Sequence, residues 1–182
     1  MPKKSGSRLV GLLFCALFTA LCAVCSQIAF PLPWGVPINF ATVAVFLAGG
    51  LLGPWPGALS MIVYVALGAA GAPVFSNLQG GLAYMAGPTG GYIVGYIFAA
   101  LVTGLAARRH DRFLPLCAAM ALGMLVYFAL GTAWFMYTTG RTLGQSLPLC
   151  VVPYLPGDVA KIALSAFLCR RLRPVLEKYK FK

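Results

Sequence analysis

The chain has 182 residues, 60% of them hydrophobic and only 9% charged, with a mean hydropathy of +0.87. A soluble domain carries about a quarter charged residues, so this chain cannot clothe its surface in polar groups; most of that surface must face lipid, and the length leaves no room for a second large domain beside several membrane spans. The net charge of +11 argues for a membrane rather than a nucleic acid, because twelve of the 14 basic residues fall in three clusters between apolar runs: Lys3, Lys4 and Arg8; Arg108, Arg109 and Arg112; Arg170, Arg171, Arg173, Lys178, Lys180 and Lys182. That is the positive-inside pattern, not a groove for phosphates.

Apolar runs of about 20 residues predict membrane-crossing helices. The first spans roughly 9–30. It is long for the apolar part of a signal peptide and leads to no clear cleavage site, so it reads as a span. Inside it, Cys22 and Cys25 form a C-x-x-C, a spacing that elsewhere suggests metal or redox chemistry. With apolar neighbours and no His nearby, they are expected to be free thiols acting as small apolar side chains, and no metal is expected. Ala16, Ala20 and Ala23 recur at spacings of four and three. Such a small-residue face lets helices approach closely in lipid, within the bundle or against another membrane subunit.

The second and third runs, roughly 38–52 and 57–71, are short, and "GPWPG" between them reads as a tight turn. The fourth covers roughly 90–107, the fifth 114–138 and the sixth 154–169. Six spans place both termini on one side. If that side is cytoplasmic, all three basic clusters lie on it, and the outer connections "PLPWGVP", "APVFSNLQGGLAYMAGPT" and "TGRTLGQSLPLCVVP" carry one charge, Arg141. The expected fold is therefore an all-α, multi-pass integral membrane protein of the cell membrane: one six-helix domain over 1–182 with N- and C-termini cytoplasmic.

The connection from Ala72 to Thr89 is long, rich in Gly and amides, and still apolar at Phe75, Leu78, Leu82, Tyr84 and Met85. A solvated tether has no use for those side chains. The segment is expected to fold back over the bundle and cap an outward cavity, where protein can satisfy irregular backbone.

Signals for catalysis are sparse. The one histidine, His110, sits among the arginines of the middle break, and no Gly-rich stretch precedes a "GK[ST]". "GPTGGY" (87–92) lacks the strand that would make it a nucleotide motif; it reads as close backbone approach and the start of a helix, with Thr89 as candidate N-cap. No catalysis and no cofactor are expected.

What stands out is "PYLPGDVAK". Asp158 is one of three acidic residues in the chain, and Lys161 follows one helical turn later in an apolar run. A charge at membrane depth costs on the order of 3 kcal/mol on insertion scales. At i, i+3 the two side chains share a helix face and can neutralise one another. They form either a structural ion pair or the polar anchor of an apolar pocket, with Asp158 accepting from ligand N–H groups and Lys161 holding a ligand carboxylate. Asn77 and Gln79 in the capping loop, Tyr92 at the start of the fourth helix and Trp134 near the outer end of the fifth are further candidates to line that pocket, while Arg141 reads as a rim charge.

The stretches "PLPWGVPINF", "LAGGLLGPWPGALSMIVYVALGAAGAPVF", "GGLAYMAGPTGGYIVGY" and "YLPGDVAKIAL", in this order, resemble the BioY family, the biotin-binding S components of energy-coupling factor (ECF) transporters. The resemblance implies a six-helix substrate-capture subunit. Biotin sits under the loops after helices one and three, and an ECF transmembrane subunit and ATP-binding subunits supply the energy, with small residues of helix one (Ala16, Ala20, Ala23) facing the transmembrane subunit. It implies Asp158 and Lys161 as the polar pair, Gln79 toward the ureido ring and Tyr92 in the wall. Two departures stand out: the family often has Gln where this chain has Ala41, and some members carry Arg where it has Ile93. An S component for another vitamin and a non-catalytic membrane assembly protein are the alternatives.

Overall fold

A computed structural model of the chain describes residues 3–33, 36–108 and 110–180, with side chains described over 9–33, 36–108 and 110–176. Arg109 and Lys182, and the side chains of Lys3, Lys4, Arg8, Lys178 and Lys180, lie outside the described residues. The helices are α1 (Lys3–Gln27), α2 (Ala41–Leu47, continued by a π-helical turn, Ala48–Leu52), α3 (Pro54–Ala69), α4 (Leu82–Ala86), α5 (Gly90–Ala107), α6 (Phe113–Thr139), α7 (Leu143–Cys150) and α8 (Leu155–Lys180). Two short strands, β1 (Ala29–Phe30) and β2 (Ile38–Asn39), pair antiparallel and close the first outer loop into a lip.

On α1, Cys15, Phe18, Thr19, Cys22 and Ser26 turn inward at helical spacing, while Leu13, Leu17 and Val24 stay exposed, the one-stripe burial of a helix packed on one side. The Thr19 hydroxyl donates to the carbonyls of Cys15 (2.9 Å) and Ser60 (2.8 Å), tying α1 to α3. The segment Ala41–Leu52 is buried at every residue, as befits a helix apolar on all sides. It holds the centre of the bundle, and glycine sets how closely it is approached. A Cβ at Gly49 would come within 2.4 Å of the Ala100 carbonyl of α5. Gly49→Ala is therefore expected to push α2 and α5 apart and cost about 1–3 kcal/mol, read as a lower apparent unfolding temperature in detergent.

The structure redraws the expected spans. Ile38 and Asn39 are strand, so the second helix starts at Ala41. "GPWPG" is not a turn as a whole: Gly53 alone turns the chain, at φ +90°, and Pro54 begins α3, a position where the missing N–H costs nothing. Among the described residues, three helical segments are long and apolar enough to cross a membrane: Leu9–Gln27, Gly90–Ala107 and Phe113–Thr139. A fourth span results if α7 and α8, bent by 54° at their junction, are taken together. The expected six are not met on this measure. Ala41–Leu52 and Pro54–Ala69 rise only about 18 and 24 Å at 1.5 Å per residue, and α8 carries Asp158, Lys161 and three arginines in what it would span.

Toward the other end of α8 from Asp158, Arg173 gathers three segments. Its guanidinium donates to the carbonyls of Gly50 (2.8 and 3.0 Å), Ala107 (2.9 Å) and His110, and pairs with Asp111 at 2.6 Å. The π turn, the end of α5 and the basic break after it therefore share one end of the bundle with the basic part of α8.

Candidate functional site

At the other end, α2, α3, α5, α6 and α8 leave a gap roofed by the 72–89 connection and the β1–β2 lip. The cavity proper is about 40 Å³, set inside about 530 Å³ of atom-free space that includes open solvent at its mouth. Five tyrosines (Tyr64, Tyr92, Tyr96, Tyr127, Tyr154) and Phe128 form the walls; Phe75, Ser76 and Tyr84 come from the roof, Val36, Pro37 and Asn39 from the lip, and Thr42 from the start of α2.

The wall tyrosines spend their hydroxyls on protein. Tyr64 donates to the Val74 carbonyl (3.2 Å), Tyr96 to Asn39 Oδ1 (3.4 Å) and Tyr154 to the Val36 carbonyl; Tyr92 meets Thr132 Oγ1 at 3.3 Å. Pinned at the hydroxyl, the rings offer faces and edges to a guest. Asn39 also donates to Ser76 Oγ (2.7 Å) and accepts from the Ala41 N–H (3.1 Å), so one amide links roof, wall and the start of α2.

Asp158 and Lys161 sit against this cavity, only 1% and 6% exposed. Lys161 Nζ donates to Asp158 Oδ1 at 2.8 Å, and the Tyr127 hydroxyl donates to Asp158 Oδ2. Lys161 Nζ also lies 5.6 Å from the centre of the Phe40 ring, within cation–π range. Among the described lining residues these are the one anion and the one cation. The pair is neutral as a unit, but an ammonium has three donors and each carboxylate oxygen has more than one acceptor site. The anchor can therefore take in a guest that brings both N–H donors and an anionic or carbonyl oxygen.

Asp158, Lys161 and Tyr92 thus meet at one cavity. Asn77 and Gln79 are exposed on the outside of the roof, where the Gln79 amide reaches back to the Asn77 carbonyl at 3.4 Å. Trp134 lies outside the cavity, its indole N–H donating to the Gly87 carbonyl at 3.0 Å. Gly91 packs so tightly on Trp134 that an added Cβ would come within 2.2 Å of it; close approach is what the "GPTGGY" glycines provide there. Thr89 opens α5 without a side-chain cap and lines the cavity instead. On α1, Ala16 and Ala20 are exposed and Ala23 is half-buried against the core.

Sequence reasoning passed over Thr42. It is 4% exposed, lines the cavity, and its hydroxyl has no hydrogen-bond partner. It also passed over Tyr127. The available signal was polarity inside an apolar run: a tyrosine mid-span needs a partner, and Tyr92 and Tyr96 stand at i, i+4 on one face. Ala41 and Ile93, the two positions where the resemblance expects a different side chain, are both buried, and Ile93 lines the cavity.

Fold and site together define a multi-pass membrane protein with an enclosed, aromatic-walled pocket anchored by one ion pair. The chain belongs to the BioY family, whose model matches residues 1–178. It is 36% identical over 177 residues to the biotin transporter BioY of Rhodobacter capsulatus, covering 90% of each chain, and 35% identical over 157 residues to that of Thermotoga maritima, covering 86% of this chain and 92% of the relative. Among solved structures it resembles the S-component for biotin from an ECF-type ABC transporter, with a TM-score of 0.86, 28% identity and 94% of both chains covered. The bundle is thus an all-α membrane fold of the ECF S-component type.

Proposed function

We propose that this chain is the substrate-binding subunit of a biotin transporter and that the Asp158–Lys161 pocket is where biotin is held. Members of its family are transport subunits, not enzymes. The observation that carries the reading is the buried 2.8 Å ion pair at the edge of an aromatic cavity. Biotin offers two ureido N–H donors and a carbonyl, an apolar ring and chain, and a carboxylate. On entry, Lys161 Nζ swings from Asp158 Oδ1 to the carboxylate, and a ureido N–H takes the vacated oxygen. The site then carries the added negative charge of the ligand: Lys161 faces the carboxylate, Asp158 is held by the Tyr127 hydroxyl and the ureido N–H, and the flexible lysine stem covers the distance. Without Arg at position 93 or Gln at 41, Thr42 supplies the remaining polar contact.

In a membrane, the two short helices cross as a hairpin, Ala41–Leu52 buried within the bundle and Pro54–Ala69 turning its Trp55, Leu59, Ile62 and Leu67 face to lipid, which gives one six-helix domain. Short spans are accommodated by local bilayer thinning. The Arg173 hub and the three basic clusters lie on the cytoplasmic side, the pocket on the outer side. The exposed Ala16 and Ala20, with Ala23 behind them, face an ECF transmembrane subunit, and ATP-binding subunits drive release.

Titration of the purified protein tests the reading: biotin is expected to saturate a single site, and thiamin and riboflavin to leave the signal flat. Binding of either of those and not biotin would assign another vitamin; no binding of any would point to an assembly role. Thr42→Val is expected to weaken biotin binding about 2- to 12-fold, the equivalent of about 0.5–1.5 kcal/mol. Ligand-free thermal stability should hold or rise, because the hydroxyl has no protein partner to lose.

A further inference from the structure

The last residue of α1 makes more contacts with the roof than its place at a helix end requires. Gln27 Nε2 lies 3.2 Å from the Val74 carbonyl and 3.1 Å from the Phe75 carbonyl, and Gln27 Oε1 accepts the Leu78 N–H at 2.9 Å. Ser26 adds its hydroxyl to the Val74 carbonyl.

The roof needs such help. Its hairpin closes through a bridge between Phe75 and Gln79, with Asn77 at φ +59° and Leu78 at φ +57°. Asn tolerates left-handed backbone; a bulky Leu there is an outlier. Leu78 is also 68% exposed, so burial of its side chain does not explain the conformation. Beside the backbone bonds across the turn, Phe75 N–H to the Gln79 carbonyl (2.9 Å) and Gln79 N–H to the Ser76 carbonyl (3.4 Å), its own N–H is received by the Gln27 carboxamide. The residues just before the turn, Phe75 and Ser76, are the ones that reach into the cavity, and Phe75 stacks on Tyr84 and sets its edge against Tyr64.

We infer that Gln27 is a positioning residue: its carboxamide latches the strained 75–79 turn to α1 and so keeps the pocket closed over its ligand. The inference rests on the reading of the cavity as the biotin site. It makes closure depend on where the end of α1 stands, so a shift of that helix would loosen the roof. Gln27 itself touches no ligand; its contribution is to how long the ligand stays.

Two measurements on Gln27→Ala test this. Without ligand, amide hydrogen exchange across 72–81, at Leu78 above all, is expected to quicken at least about tenfold, while α5 and α6 keep the wild-type pattern. With biotin, dissociation is expected to speed up at least about tenfold and association to change less than about threefold. Gln27→Glu keeps the acceptor for Leu78 but loses the donors to Val74 and Phe75; it should speed dissociation and exchange elsewhere across 72–81 while sparing the Leu78 amide, and it serves if the alanine variant does not fold. A folded variant with wild-type loop exchange and wild-type dissociation overturns the latch. A wild-type protein that ignores biotin would sink the pocket reading instead, and the ligand-free exchange would still decide the latch.

Discussion

Lys161→Met should cost this protein both its ligand and much of its thermal stability, whereas Asp158→Asn combined with Lys161→Met should recover the stability and not the ligand. The reason lies in burial. Removing one partner of a buried pair leaves an uncompensated charge and costs about 3–5 kcal/mol. Asp158 is 1% exposed, and after Lys161→Met it keeps only the Tyr127 hydroxyl on Oδ2. Neutralising it with an isosteric amide removes that penalty, since buried pairs are often replaceable by neutral groups without net loss. Binding has no such remedy. Each charge-assisted hydrogen bond to the ligand contributes about 1.5–3 kcal/mol, so Asp158→Asn and Lys161→Met should each weaken biotin binding about 10- to 150-fold, and the double variant by more. Thermal unfolding in detergent and titration of the same four proteins separate the two roles. A double variant that regains affinity along with stability would make the pair structural only.

Arg173→Ala should produce the opposite dissociation of effects: a loss of stability with binding intact. The guanidinium serves the carbonyls of Gly50, Ala107 and His110. The Ala107 carbonyl keeps the His110 N–H and the His110 carbonyl is exposed, so the buried acceptor left without a donor is that of Gly50, at a cost of about 1–3 kcal/mol. Arg173→Lys should recover only part of it, because an ammonium is a point donor and cannot fork across three segments. Fifteen residues of helix, about 22 Å at 1.5 Å per residue, separate Arg173 from Asp158, so the biotin dissociation constant should stay within about threefold of wild type. An unchanged unfolding temperature would mean that the hub holds nothing together.

How much of this was legible in the sequence differs by residue, and the differences have physical causes. The Asp158–Lys161 pair stood out because charge at that depth is costly and rare, and helical periodicity alone places the two on one face. The membrane class followed from composition, and the shared end of the middle and C-terminal basic clusters from their spacing. The count of crossing helices did not follow, because hydropathy marks Ala41–Leu52 and Pro54–Ala69 as apolar without showing how short they are; the helix bounds shifted because hydropathy runs through the β1–β2 lip and because Gly53, not the whole of "GPWPG", makes the turn. Asn77 and Gln79 were singled out as amides in a capping loop. Both are exposed in a turn that runs through left-handed backbone at Asn77 and Leu78, a geometry that no side-chain pattern announces. Thr42 was missed because a hydroxyl's want of a partner exists only in three dimensions. Gln27 was missed for a related reason: its partners lie some fifty positions away along the chain.

The most direct measurement is a structure of this protein with biotin bound. The account predicts the ligand beneath Phe75 and Ser76, with a ureido nitrogen within hydrogen-bond reach of Asp158, the carboxylate within reach of Lys161, and the direct contact between those two side chains broken or lengthened. Biotin seated elsewhere, with the Asp158–Lys161 contact intact and neither side chain touching it, would contradict it.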